Sequence, residues 1–158
     1  MNDVTKASHA KRGWWVKVLC GVALIVGVVT HYLMGIPPLF FKAPVLLAQS
    51  LVIGGTVLVF WHFLLLRRLN KELELPEVLV TDGGLYCVVR HPMYFADAIY
   101  YTGLALLWPS VTSAVILLVG LIALVYQAHE EDRWCAQRFP HEFPRWSARS
   151  ALLIPYLY

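Results

Sequence analysis

The stretch RHPMYFADAIYYTGLALLWPSVTSAVILLVGLIALVYQAHEEDRW, Arg90 to Trp134, decides the fold. Two apolar runs meet at Trp108-Pro109-Ser110 with almost no room for a loop. Charge flanks the outer ends: Arg90 and His91 precede the first run, and His129 to Arg133 follow the second. Proline suits the first position of a helix, because its missing N–H would be unpaired there anyway. The residue before it is pushed out of the helical region. Pro92 therefore opens one helix with Arg90 and His91 at its mouth. Pro92–Trp108 and Val111–Gln127 read as a helical hairpin. His129 to Phe139 continues as a polar helix until Pro140 and Pro144 break it. A hairpin returns the chain to the side it left, so the Arg-His pair and the acidic run share that side.

The same character extends outward. The chain has 158 residues, of which 59% are hydrophobic and 15% charged. Soluble domains carry about 25% charged residues. Trp14–Met34 and Val45–Leu66 are further apolar runs near the ~20 residues that a bilayer crossing needs. Trp14, Trp15 and Tyr32 stand where interfacial anchors would. Lys11 and Arg12 before the first run resemble a secretion signal. That run is too long for one, and no small-x-small cleavage site follows, so it reads as a retained span. The expected fold is all-α: one integral membrane domain over residues 1–158, with about four transmembrane helices. Its C-terminal hairpin leads into a polar helix, and residues 128–158 form a tail covering a cofactor. Pro37, Pro38 and Pro44 mark a short turn, while Asn70 to Gly84, with Pro76 and "TDGG", is the longest polar connection.

Lysine and arginine set the expected orientation. Lys6, Lys11, Arg12 and Lys17 gather at the start of span one. Arg67, Arg68, Lys71 and Arg90 lie between spans two and three, and Arg133, Arg138, Arg145 and Arg149 follow span four. The other two turns hold only Lys42. A multi-pass protein with both termini cytosolic follows.

Several function classes are excluded. A net charge of +3, without a basic block interleaved with aromatics, speaks against nucleic acid. Cys20, Cys87 and Cys135 match no disulfide or zinc spacing, and no cluster has metal-ligand spacing. No glycine-rich phosphate loop follows a strand. A nucleotide-like cofactor would sit between helices and the cytosolic segments. Oligomeric state is not legible.

The mouth of the third span gathers free N–H groups and the positive end of a helix dipole, a setting for an anionic group. Arg90 can fork onto a carboxylate. Tyr94, one turn inside, can hydrogen-bond or pack against a bound ring. In "HEEDRW", helical spacing puts Ala128, Glu131, Cys135 and Phe139 on one face. Glu131 is thus expected to point inward, Asp132 and Arg133 to meet solvent, and Glu130 to share a neighbouring face with Trp134. The structural alternative is a salt bridge from Glu131 to Arg90 or Arg149. Asp97, inside the third span, reads as an interior polar contact ahead of a catalytic acid. His31 and His62 read as interfacial or hydrogen-bonded side chains.

At these residues the sequence resembles the integral-membrane methyltransferases of the isoprenylcysteine carboxyl methyltransferase and phospholipid methyltransferase group. Their pattern runs roughly G-x-Y-x-x-x-R-H-P-x-Y, a helical hairpin, paired acids, F-G-x-E-Y-x-x-Y and a late proline. Gly84, Tyr86, Arg90, His91, Pro92 and Tyr94 match the first element. The acids match as Glu130 and Glu131, or as Glu131 and Asp132, the second register also aligning Phe139, Glu142 and Pro155. Pro140, Phe143, Trp146 and Ala96 depart from the pattern. The resemblance implies methyl transfer from S-adenosyl-L-methionine to a lipid-like or small hydrophobic acceptor, a carboxylate, thiol or amine. It implies Tyr86, His91, Pro92, Tyr94 and Glu131 as cofactor-binding residues. Arg90, Glu130 and Glu131 would be catalytic, with an acid taking the proton of an amine acceptor.

The sequence also resembles the C-terminal part of sterol reductases, through "YFAD" after R-H-P-x-Y, "EDRWCAQRF", and the ending "IPYLY". That implies an NADPH-dependent membrane reductase, with Arg133, Arg138 or Arg145 as contacts for a 2′-phosphate. Those reductases are far longer, and on that ground the methyltransferase is expected first. A non-catalytic membrane interaction subunit is the third reading.

Overall fold

The computed structural model describes residues 3–35, 44–69 and 78–157, with side chains from residue 13 onward. Four long helices, α1 (Asp3–Met34), α2 (Val45–Leu69), α3 (Pro92–Leu107) and α4 (Val111–Arg138), are followed by a short α5 (Phe143–Ser147). A single 3-10 turn, Gly84–Cys87, precedes α3. The fold is an all-α membrane bundle, as composition requires. Pro37, Pro38, Lys42, Lys71 and Pro76, and the side chains of Lys6, Lys11 and Arg12, lie outside the described residues.

Among the described residues, three segments are long and apolar enough to cross a bilayer: Gly13–Met34, Val45–Leu69 and Val111–Arg138. Their outer faces leave large side chains uncovered, among them Leu19, Phe60 and Leu118. Lipid can cover such surface, whereas water could not do so cheaply. The expected third span differs. α3 has 16 residues, about 24 Å of helix, against a hydrocarbon core of about 30 Å. It packs on α2, α4 and α1.

Small residues bring α2 and α3 together backbone to backbone. A Cβ on Gly55 would stand 2.8 Å from the Tyr100 nitrogen, and one on Gly103 would stand 2.8 Å from the Val52 nitrogen. Ala48 and Ala96, in the same seam, have no exposed surface. Close approach of this kind is how helices associate where lipid removes the hydrophobic drive. α1 lies mainly against α4, and Leu24, Tyr101, Leu104 and Leu124 fill the centre.

The hairpin turns as the sequence implies. Ser110 caps α4: the Ser113 N–H donates to Ser110 Oγ and the Ser110 N–H to Ser113 Oγ, so two otherwise free donors are satisfied. The polar helix is no separate element. α4 runs unbroken from its apolar stretch to Arg138 and carries the acids with it.

Beyond α4 the tail folds back on the segment before α3. The Arg90 N–H donates to the Ala151 carbonyl at 2.8 Å, the Ala151 N–H to Val88 at 2.9 Å, and the His91 N–H to Leu152 at 3.2 Å. The buried Trp146 donates Nε1–H to the Tyr86 carbonyl at 2.9 Å. His62, fully buried, fixes the other side. Its Nε2 accepts from the Leu85 N–H at 3.0 Å. Its Nδ1 therefore carries the proton, which goes to the Leu58 carbonyl at 2.8 Å. Gly84 allows this: its φ is +56°, and a Cβ there would lie 2.8 Å from His62 Nε2.

Candidate active site

The site grows from the start of α3 and the polar end of α4. Pro92 occupies the first turn and His91 the N-cap position, as expected. His91 lies between two carboxylates: Nε2 is 2.8 Å from Asp132 Oδ1 and Nδ1 is 3.4 Å from Glu131 Oε2. Both neighbours can only accept, so both ring nitrogens carry protons. Burial alone would lower the pKa of His91. The hydrogen bonds to Asp132 and Glu131 outweigh burial and raise it above the ordinary 6.5. The His91 ring stacks on Tyr94, centroids 5.6 Å apart and planes 15° from parallel.

Glu131 is the hub. It accepts hydrogen bonds from the Tyr94 hydroxyl and from Gln127 Nε2 at 3.3 Å. Its side chain nonetheless keeps 42% of its surface accessible, because it lines a cavity of about 130 Å³ with Tyr86, Arg90, His91, Tyr94 and Trp146. Burial first, and then the charge of Glu131, push the Tyr86 phenol pKa up. A second cavity of about 440 Å³ shares the walls Val78, Leu79 and Trp146 and is lined by Arg145 and Arg149. Arg149 reaches Asp82 only at 3.7 Å, and both side chains are largely exposed.

Arg90 faces the fold as well as the cavity. Its Nε donates to Asp132 Oδ2 at 2.9 Å, and its Nη1 donates to the carbonyls of Ser147 and Ser150. The structure thus brings Tyr86, Arg90, His91, Pro92, Tyr94 and Glu131 to one cavity. Glu130 is elsewhere, paired with Arg133 at 2.5 Å. Asp132 corrects an expectation: it is held by Arg90 and His91 and is only 16% exposed. It lies four residues beyond the fully buried Ala128, so the inward arc of α4 is wide enough for both acids. The salt bridge sought from Glu131 to Arg90 or Arg149 also falls differently, with Arg90 on Asp132 and Arg149 on Asp82. Among the described residues no cluster could hold a metal ion.

Bilayer-length helices ending in a buried polar network and a cavity define an integral membrane protein with its candidate site at the end of the bundle. A family model described as 3-oxo-5-alpha-steroid 4-dehydrogenase matches residues 17–158, and the chain belongs to that family. No curated protein matches the chain. The family match overturns the methyltransferase expectation, and with it S-adenosyl-L-methionine as cofactor: the family is one of steroid oxidoreductases, and a membrane steroid reductase-like enzyme is what it indicates. The Arg-His-Pro-x-Tyr element is common to both resemblances and could not separate them. The second resemblance, ranked lower for chain length, is the one the family match supports.

Proposed function

We propose that this protein is an NADPH-dependent membrane reductase that saturates a carbon–carbon double bond conjugated to a ketone on a steroid- or lipid-like molecule. The family description names a 3-oxo steroid and a 4-dehydrogenase reaction, whose reverse is that reduction. The observation in this chain that supports it is the pair of adjoining cavities, acid- and aromatic-lined at one end and lined at the other by Arg145 and Arg149 beside Glu142.

The residues present fit the cofactor. Arg145 and Arg149 would hold its phosphates through charge-assisted hydrogen bonds. The accessible side of Glu131 would accept from the carboxamide N–H, and Trp146, shared by both cavities, offers a ring wall. When bound, the reduced nicotinamide supplies a hydride. The chain's own residues handle the proton and the charge. Tyr94 Oη, aimed at Glu131, turns to the carbonyl oxygen of the substrate and holds a proton there as negative charge develops. His91 keeps a proton at Nδ1 beside Glu131. Leu66, Val80 and Trp146 exclude water from this end. The lysine and arginine distribution supports a cytosolic position for the site and for both termini.

The test is calorimetric titration of detergent-purified protein with NADPH and, separately, with S-adenosylhomocysteine. Reduced-nicotinamide absorbance with a steroid 4-en-3-one as substrate follows. NADPH binding that is lost in Glu131→Ala and weakened about tenfold or more in Arg149→Ala is expected. Folded protein that binds no NADPH refutes the proposal.

A further inference from the structure

A residue outside every motif touches a side chain of the site without lining the cavity. Lys17, on α1, places its Nζ 3.4 Å from Asp97 Oδ2, with the two side chains only 12% and 20% exposed. The same ammonium stands 4.3 Å from the centroid of the Tyr94 ring. The Lys17 backbone carbonyl accepts the Tyr101 hydroxyl at 2.6 Å. Tyr94, Asp97 and Tyr101 follow i, i+3 and i+7 spacing, so one face of α3 meets one residue of α1. Lys17 does not line the cavity; Tyr94 does, and its hydroxyl is held by Glu131.

We propose that Lys17 is a positioning residue that acts through Tyr94. Its ammonium fixes a face of the Tyr94 ring from outside the cavity lining, while Asp97 keeps the ammonium there. A desolvated cation over an aromatic face is a strong, directional contact. A lysine buried only for its charge would need Asp97 but no ring. A lysine serving only as an interfacial anchor would reach towards water instead of Asp97. Asp97 thereby gives an intramembrane lysine a carboxylate partner. The consequence for the reaction rests on the reductase reading; the contact with Tyr94 does not.

The test compares Lys17→Met, Lys17→Arg, and the double variant Lys17→Met/Asp97→Asn. Fluorotyrosine at position 94 is followed by fluorine NMR in ligand-free protein, beside thermal unfolding, NADPH affinity and turnover. Lys17→Met is expected to shift and broaden the fluorine resonance. It should lower kcat about tenfold while NADPH affinity stays within about threefold. Lys17→Arg restores both signals, because a guanidinium also stacks on an aromatic ring. The double variant regains thermal stability, having no buried unpaired charge, but neither the resonance nor kcat. A double variant with wild-type resonance and turnover overturns the proposal, since the pair would then serve only charge balance. Should the wild type reduce no enone, the functional reading fails, while the fluorine signal still decides the role of Lys17.

Discussion

Replacing Arg90 by methionine is expected to release the C-terminal tail. The side chain makes one hydrogen bond to Asp132 and two to the Ser147 and Ser150 carbonyls. Asp132 keeps His91 as a partner, and Ser147, partly exposed, can turn to water. The uncompensated losses are the ion pair to Asp132 and the bond to the buried Ser150. Hydrogen bonds involving a charged group contribute about 1.5–3 kcal/mol each. A net loss of about 3 kcal/mol, or on the order of 100-fold in tail docking, follows once Asp132 is credited with its remaining partner. Hydrogen exchange measures it directly. The amides of residues 90, 91 and 151, bonded across the junction, should exchange about 100-fold faster, while those around Leu124 in the core stay protected. Arg90→Lys should fall between, because an ammonium cannot span the same acceptors. Unchanged exchange at residue 151 together with lost NADPH affinity would refute the reasoning and leave Arg90 as a ligand contact alone.

Adjacent glycines in α2 should respond oppositely. Gly55→Ala would push a methyl into the α3 backbone and cost about 1–3 kcal/mol in thermal unfolding, whereas Gly54→Ala, with nothing within 4 Å, should be neutral or slightly stabilising; equal effects would mean that the close seam is wrong. The raised pKa of His91 sets a pH window: its contribution is complete below about 6.5 and fades as pH rises through the raised folded value. The difference in melting temperature between wild type and His91→Phe should therefore shrink with rising pH, and a growing difference would contradict the ion pairs. Glu130→Gln breaks only a pair to a largely exposed arginine, so stability should change by under about 0.5 kcal/mol and NADPH affinity by under about twofold. Glu131→Gln should lower that affinity at least tenfold.

Hydropathy made the helices legible, because a bilayer demands long apolar runs and proline marks their ends. Pro92 and Pro109 already bound the third run near the short end of a crossing, but nothing in it told that α3 packs against all three other long helices. His91, Pro92, Tyr94 and Glu131 stood out because charge at the mouth of an apolar helix has a cost. Trp146 and Lys17 carried no such signal. Trp146 lies after two prolines in a region with no period to read. Lys17 resembled one more basic anchor at a membrane edge, and only the arrival of α3 beside α1 gives it Asp97 and Tyr94 as neighbours. The chemistry was misassigned for a different reason. A charged nucleotide-like cofactor at the end of a helical hairpin would call for the same arginine, histidine and acids whichever group it carried, so these residues could not separate the two resemblances.

The two acids of α4 show why neighbouring positions divide their work. Successive helix residues project about 100° apart. Glu131 and Asp132 therefore approach His91 from different sides, one at each ring nitrogen. Asp132 spends its second oxygen on Arg90 and is largely shielded from solvent. Its charge is neutralised locally and its place is structural. Glu131 meets a shared cation, a phenol and an amide, and still exposes its side chain to the cavity. A ligand can therefore engage Glu131 without breaking the ties that hold tail to loop, which run through Arg90 and Asp132. The cavity wall stays fixed while its polar partner remains free to exchange bonds, and that separation is what a site needs if its ligand leaves after every turnover.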